Sequence, residues 1–583
     1  MAKSHMPYDD QIDLRARGEG SSTPARPLPS AARAAARVRA QSKSNIRLPA
    51  APDDRQWHGA TSPAEDPARL PTGRVGGGFS GGLGGEGAED LGRSFAWLTL
   101  LGWAGLAAIL ASVLLICAGA AGGPSVLVPA RTGGWYGWLA GPLRGLAVGP
   151  LSQASAQTLT LTMCAGYLAV LAASGTRARA QASAGRPGLP LWAIAATVVA
   201  SNAILLLGPP LISQDVFGYL AFARLGVVHG LDPYTHVAAE MPIDPVIGFI
   251  GWPYQHSPYG PLFTLASYAS APLGLAGGLW ALKAAAVAGS LAAVALTARA
   301  AGLLGGSRRF AAAFVGLNPV MLELAVGGAH NDTLAIACLA GALALTAGTR
   351  ARPRAGALAL AAGVGVKISA GIALPFLVLG AGGNRSVGAG GDRSLGTGGD
   401  GALGAGRERP DSNWRERGRV ALAALAGLAL VALIGLIGFG SHALGFLNAI
   451  GEQQQMVAVH SVPAETARLV GLSGTPRWWR HCFTAAFVVV LVYALWRTAR
   501  GADWRQAAGW STLALLIATA WLLPWYAIWP LPLAAVCADW RLRTATLIVC
   551  AYAVAIHLPL ADPLLSAPVH ALAQHGASGG LGR

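Results

Sequence analysis

The chain has 583 residues, 53% of them hydrophobic and only 12% charged, with a formal net charge of +16 and a mean hydropathy of +0.47. Those values exclude an ordinary soluble globular domain and describe a polytopic membrane protein. Nucleic acid is not the expected partner of the positive charge, because the arginines fall in short clusters between apolar runs, where the positive-inside rule retains them in cytoplasmic loops.

Residues 1 to 93 are rich in Ala, Arg, Ser, Pro and Gly and end in VGGGFSGGLGGEGAEDLG, a linker composition that predicts a disordered basic cytoplasmic arm. From 94 to 562 the chain reads as one transmembrane domain. A bilayer core needs about 20 apolar residues per helix. Such runs lie near 95–120, 156–175, 190–210, 278–299, 310–328, 331–348, 355–382, 420–440, 481–498, 507–523, 526–540 and 544–561, giving eleven to thirteen spans. Arg177, Arg179 and Arg186, Arg299, Arg308 and Arg309, Arg350, Arg352 and Arg354, Arg497, Arg500 and Arg505, and Arg541 and Arg543 are expected inside, with the N-terminus cytoplasmic. This holds if 355–382 crosses twice, with a turn at Lys367–Ser369. Residues 383–419 are Gly-rich and read as a flexible cytoplasmic insertion, and 563–583 as a C-terminal tail. The six cysteines show no CxxC or His-paired spacing and read as small buried hydrophobes.

The opposite, extracytoplasmic face then holds the loops at 123–155, 211–260 and 441–479, the turn around GGAHND, and the LPWY turn with Trp525 and Tyr526. Catalytic groups concentrate on such loops. In SQDVFGYLAFARLGVV, Ser213 stands where an N-cap would, and Asp215, Tyr219 and Phe222 share one helical face beside an apolar stripe. That pattern predicts a helix lying on the membrane surface. Asp215 there either accepts a proton from a sugar hydroxyl, with the aromatics stacking on the sugar, or complements the helix dipole. Arg224 lies about 180° away and is expected to snorkel. HGLDPYT ends the helix at Gly230, which makes Asp232 structural.

GWPYQHSPYGPL gathers Trp252, Tyr254, His256 and Tyr259 among prolines, as an interfacial belt or a ligand rim. His330, Asn331 and Asp332 occupy one turn at a helix N-terminus, more polar groups than capping requires. Glu323, Lys283 and Lys367 fall in or beside apolar runs, where a charge costs at least a few kcal/mol, so each needs a partner or a task. The lysines are candidates for a lipid phosphate or for snorkelling.

SQDVFGYLAFARLGVVHGLDPYT, SPYGPL, GAHNDTL, KIS…LP and LPWYAIWPLPLAA, in this order over roughly residues 200–540, resemble the actinobacterial polyprenol-phosphate-mannose-dependent α-1,6-mannosyltransferases of the GT-C superfamily. The resemblance implies an all-α GT-C enzyme that takes mannose from polyprenyl-phosphate mannose, outside the cytoplasmic membrane, and extends an α-1,6-mannan core of lipomannan-type glycolipids. It implies Asp215 as the acid of the catalytic loop, acting as general base in an inverting displacement. Lys283, Lys367, His330 or His256 would supply charge to the leaving phosphate. Many relatives have two adjacent acids where this chain has Gln214 before Asp215, so no carboxylate-pair metal site and no cofactor are expected, and a need for a divalent cation stays open. Transfer of arabinose or glucose from the same type of lipid is one alternative. A transporter or lipid flippase is another, and it would predict ionisable residues at the bilayer midplane and repeat symmetry.

Overall fold

The computed structural model describes residues 85–128, 136–175, 188–382 and 410–558. The expected arm up to residue 84, the arginines at 177, 179 and 186, the insertion from 383 to 409 and the tail at 563–583 lie outside the described residues. Contacts divide the chain into two units, Arg15–Glu89 and the remainder, and the account below concerns the second.

Secondary structure among the described residues is helical, with no β-strand. The elements used here are α1 (Gly85–Ala121), α2 (Gln153–Ser174), α3 (Leu191–Leu207), α4 (Asp215–Val227), α5 (Gly274–Leu303), α6 (Asp332–Leu345), α7 (Pro353–Val366), α8 (Leu374–Gly380), α9 (Pro410–Phe439), α10 (Phe446–Gln455) and α11 (Arg477–Ala499). By length and composition, 5 helical stretches among the described residues suffice to cross a membrane: Trp97–Ala121, Gln153–Ser174, Pro261–Leu303, Trp414–His442 and Arg477–Ala499. A sixth is added if Arg308–Gly316 and Val320–Val326, bent by 44°, count as one span. Other apolar runs expected to cross form shorter helices, among them α3, α6 and α7. No single run of these is as long as the bilayer core requires on its own.

Helices α5, α6, α7 and α9 pack side by side in that order. Close approach depends on small residues, as is usual where lipid removes the hydrophobic drive between helices. A Cβ on Gly289 of α5 would sit 2.8 Å from the Leu334 backbone nitrogen of α6. The segment 353–380 reverses at Lys367, where the backbone is extended (φ −154°, ψ 128°). Gly363 then lies against Ala370 and Gly356 against Leu377, so α7 and α8 form a hairpin with Lys367 at its tip.

Helix α4 does not lie on a surface. Asp215, Val216, Phe217, Tyr219, Leu220, Ala221, Phe222, Ala223 and Leu225 are all buried, against α5, Pro261–Ser267 and Tyr268–Leu273. Its core partners include Phe249, Phe263, Leu279 and Leu282. The physical reason is that its apolar residues encircle the helix rather than forming a stripe, and such helices are buried by protein.

Gly260 joins this packing to the hairpin. Its N–H donates to the Val366 carbonyl at 3.1 Å, and any Cβ there would collide with the Gly365 carbonyl. Gly260→Val should therefore overpack the contact and cost about 1–3 kcal/mol. A lowered midpoint of thermal unfolding in detergent is expected, and an unchanged midpoint would contradict the packing described.

Candidate active site

The site begins where two distant loops are tied by backbone hydrogen bonds. Leu211 N–H donates to the Gly327 carbonyl at 2.9 Å, and Ile212 N–H to the Leu127 carbonyl at 2.8 Å. Ile212 (φ 72°) and Ala329 (φ 56°) are the non-glycine residues with positive φ among the described residues. Such backbone costs of order 1–3 kcal/mol and persists where the surroundings enforce it, often at functional sites. Here it flanks both halves of the site, three residues before Asp215 and one before His330.

Helix α4 starts at Asp215 with Gln214, not Ser213, at the cap position. The Ser213 hydroxyl accepts the Asp215 N–H at 3.1 Å. His330 is fully buried, with Nδ1 3.4 Å from Asp215 Oδ2 and without the alignment of a hydrogen bond. Its ring stacks on Trp525, centroids 3.8 Å apart and planes at 19°. Burial pushes the Asp215 carboxyl up, but the adjacent His330 imidazole, then the Lys367 charge and Ser213, outweigh it and hold the group below its ordinary value of 3.8.

A second buried carboxylate lies at the next turn. Asp332, at the start of α6, receives Lys367 Nζ at 2.8 Å on each oxygen and Trp529 Nε1 at 2.7 Å. Lys367 Nζ also sits 4.5 Å over the Tyr526 ring, and Tyr526 and Trp529 stack at 4.4 Å. The ammonium is thus fixed by an ion pair and by aromatic faces. The extended residue at the break between α7 and α8 is what lets the side chain reach them.

Asp215 and Lys367 line one cavity, together with Phe222, Trp252, His256, Tyr259 and Tyr526 of the expected residues. Five others stand behind its wall. Tyr219 does not face the cavity: its hydroxyl lies 3.4 Å from Asn331 Oδ1 and its ring meets Tyr259 edge-on at 4.9 Å. His330, Asp332 and Trp525 are themselves buried: His330 lies beside Asp215, Asp332 pairs with Lys367, and Trp525 stacks on His330. Asn331 supports Tyr219.

Several expectations are corrected. Tyr254 is 80% exposed and stands off the cavity, since the turn between Trp252 and Gln255 points it to solvent. Lys283 is buried in α5, where Nζ donates to the Pro209 carbonyl at 3.2 Å, so it ties two segments together away from the cavity. Arg224 points away from Asp215 as its helical angle requires, but it does not snorkel. Its Nε meets Asp244 Oδ1 at 2.8 Å, and His229 Nε2 meets Oδ2 at 2.8 Å. Asp232 is structural: it accepts the Tyr234 N–H at 2.8 Å and pairs with His442 at 3.0 Å. Glu323 has both oxygens bound by the Thr160 hydroxyl at 2.9 Å.

Cavity residues not anticipated include Gly218, Gln255, Gln453, Gln454, Trp521 and Trp529. Trp529 lies in the quoted LPWYAIWP stretch and was legible there. Trp521 is hidden inside an apolar run. Among the described residues no group of three His, Cys, Asp or Glu side chains is placed to hold a metal ion.

Residues 116–382 match the family model described as the N-terminal domain of α-(1→6)-mannopyranosyltransferase, and 469–578 match the MptB C-terminal domain. The chain is 28% identical over 376 residues to α-(1→6)-mannopyranosyltransferase A of Mycobacterium tuberculosis, covering 60% of this chain and 66% of that protein. It therefore spans a little under two thirds of the length of that relative. No solved structure matches.

Lys367→Met should leave Asp332 buried with only the Trp529 donor and destabilise the protein by about 3–5 kcal/mol. Adding Asp332→Asn removes the stranded charge, so the double variant should regain most of the lost thermal stability. Lys283→Met, by contrast, removes the donor to the Pro209 carbonyl but strands no carboxylate, and should lower the unfolding midpoint by less than Lys367→Met does. Thermal unfolding of the three variants in detergent checks all of these.

Proposed function

We propose that this chain, matched over residues 116–382 and 469–578 by the α-(1→6)-mannopyranosyltransferase N-terminal and MptB C-terminal family models, transfers mannose from polyprenyl-phosphate mannose to a hydroxyl of a growing α-1,6-mannan glycolipid. The observation that carries this reading is the presence, on one cavity, of an ionised carboxylate and a fixed ammonium among aromatic rings. A glycosyl transfer to a hydroxyl needs the first two, and a sugar ring takes the third.

In the proposed reaction the acceptor oxygen attacks C1 of the mannosyl group opposite the lipid phosphate. The C1–O bond to phosphate breaks as the new glycosidic bond forms, so a β-linked donor yields an α-linked product. The hydroxyl proton passes to Asp215. The departing lipid phosphate gains negative charge, which the Lys367 ammonium stabilises from a fixed position. Among the expected cations, only Lys367 and His256 reach the cavity wall, and His256 is engaged with Glu452 at 3.1 Å. His330 holds Asp215 in its ionised form and in place.

We place the cavity on the extracytoplasmic side of the cytoplasmic membrane. Arginines 299, 308, 309, 350, 352, 354, 497, 500, 505, 541 and 543 all fall on segments that contribute no residue to the cavity, which supports that sidedness.

Membranes containing the chain should transfer mannose in preference to glucose or arabinose from the corresponding polyprenyl phosphates, and equal use of the three would refute the sugar assignment. Asp215→Asn should lower the rate by about 10²–10⁴-fold, the usual worth of a general base. Turnover near that of the parent protein would remove Asp215 from this role. A carboxyl held below 3.8 stays ionised as pH falls through that value and protonates only at lower pH. The acid limb of kcat/KM should therefore lie below pH 3.8, measured over the range in which the protein stays folded.

A further inference from the structure

The cavity carries a second set of groups, uncharged ones, for which the transfer step itself has no use. Gln453 and Gln454, on the last turn of α10, and Gln255 line it beside Trp252 and Trp521, whose rings meet edge-on at 5.7 Å. Helix α10 buries only Phe446 and Ala449. Such a helix has little apolar contact to hold it, yet its C-terminal turn is fastened on several sides. Arg480 Nη1, from the first turn of α11, donates to the Gln454 and Gln455 carbonyls at 3.1 and 3.2 Å. Those are carbonyls that a helix end leaves without partners, and a guanidinium both satisfies them and complements the dipole. His256 Nδ1 meets Glu452 Oε1 at 3.1 Å, Gln255 Nε2 donates to the Met456 sulfur at 3.0 Å, and Ala458 N–H donates to the Ala520 carbonyl at 2.8 Å.

These links fix the amide-bearing turn against the two loops that carry Trp252 and Trp521. The Trp252 loop in turn abuts the base, because Gly251 packs on the side chain of Gln214, the residue before Asp215. Neutral amides beside indole faces suit a saccharide, whose hydroxyls both donate and accept and whose C–H faces stack on rings. They do not suit a phosphate, which calls for the cation at Lys367.

We infer that Gln453, Gln454, Trp252 and Trp521 form an acceptor subsite for the terminal hexose units of a hydroxyl-rich saccharide chain, with Arg480 as a positioning residue that holds the amide turn in register. The inference rests on the transfer reading above and assigns which part of the cavity takes which substrate. The ammonium side receives the lipid-linked donor, and the amide and indole side receives the acceptor.

The test is a two-substrate kinetic analysis with polyprenyl-phosphate mannose as donor and a synthetic α-1,6-linked mannoside bearing an alkyl aglycone as acceptor. Trp521→Ala and Gln454→Ala should each raise the acceptor KM by about tenfold, equivalent to ~1.4 kcal/mol, while the donor KM changes by less than about twofold. Arg480→Gln should act in the same direction, and Arg480→Lys, whose ammonium still donates to carbonyls, should recover part of the loss. A rise confined to the donor KM, or no change in the acceptor KM for both cavity variants, overturns the subsite. Unfolding midpoints of the variants separate a lost contact from a lost fold. If the parent protein transfers no mannose, the functional reading fails. The subsite is then judged by binding of the same mannoside to the parent protein and to Trp521→Ala in detergent, where equal affinity refutes it and weaker binding by the variant supports it.

Discussion

A carboxylate removed from water must be met by a cation or by donors, or it does not stay ionised. Two such carboxylates, Asp215 and Asp332, sit at the first turns of α4 and α6, and the arrangement of the chain around them follows from that demand. Asp332 is answered completely, by Lys367 on both oxygens and by Trp529. Asp215 has the His330 imidazole 3.4 Å from one carboxylate oxygen and also lines the cavity. The two acids are thereby sorted by their surroundings: one is spent on holding a lysine, and the other stays available to a substrate.

The lysine is delivered by a backbone device. A continuous helix through 353–380 would carry residue 367 along the bundle, whereas the extended conformation at that residue ends α7 and sends the chain back beside it. The tip of a hairpin reaches into the cavity as the side of a helix would not. Gly260 hydrogen-bonds to Val366 one residue before the tip, which couples the lysine to the aromatic loop at 252–259. The walls of the cavity thus share a support, and the positive φ values at Ile212 and Ala329 show a backbone bent to bring its members together.

Much of the site was legible because charge in an apolar run is costly and so stands out. Lys367 was visible on that ground, Asp215 by its helical face shared with aromatics, His330 and Asp332 as more polar groups than a cap requires, and Trp252, His256 and Tyr259 as a cluster among prolines. What periodicity could not tell is which way each residue faces once several helices converge. Tyr219 follows Asp215 by one turn, and the sequence places them together, yet Tyr219 packs against Asn331 and Phe263 while Asp215, Gly218 and Phe222 face the cavity. Lys283 and Lys367 have similar local surroundings in the sequence. Only the tertiary fold separates a lysine that reaches the Pro209 carbonyl from one that reaches a cavity. Gln453, Gln454 and Trp521 carried no local signal, since a glutamine run in a loop and a tryptophan in an apolar run are ordinary. The helical character of the chain was plain from composition. The burial of α4 was not, because its apolar residues, legible as one stripe, encircle the helix.

The stacking of His330 on Trp525 has a consequence for biosynthesis. The groups that meet at the cavity wall or directly behind it come from residues 215, 330, 367 and 525–529, and His330 with Trp525 and Asp332 with Trp529 join parts of the chain that are far apart in sequence. A chain still emerging from the ribosome can hold Asp215, His330 and Lys367 long before the indoles at 525 and 529 exist. Until then the imidazole has no ring to lie on and Asp332 lacks its third donor. The cluster around Asp332 and His330 is therefore completed only by the last tenth of the chain, after most of its helices have been made.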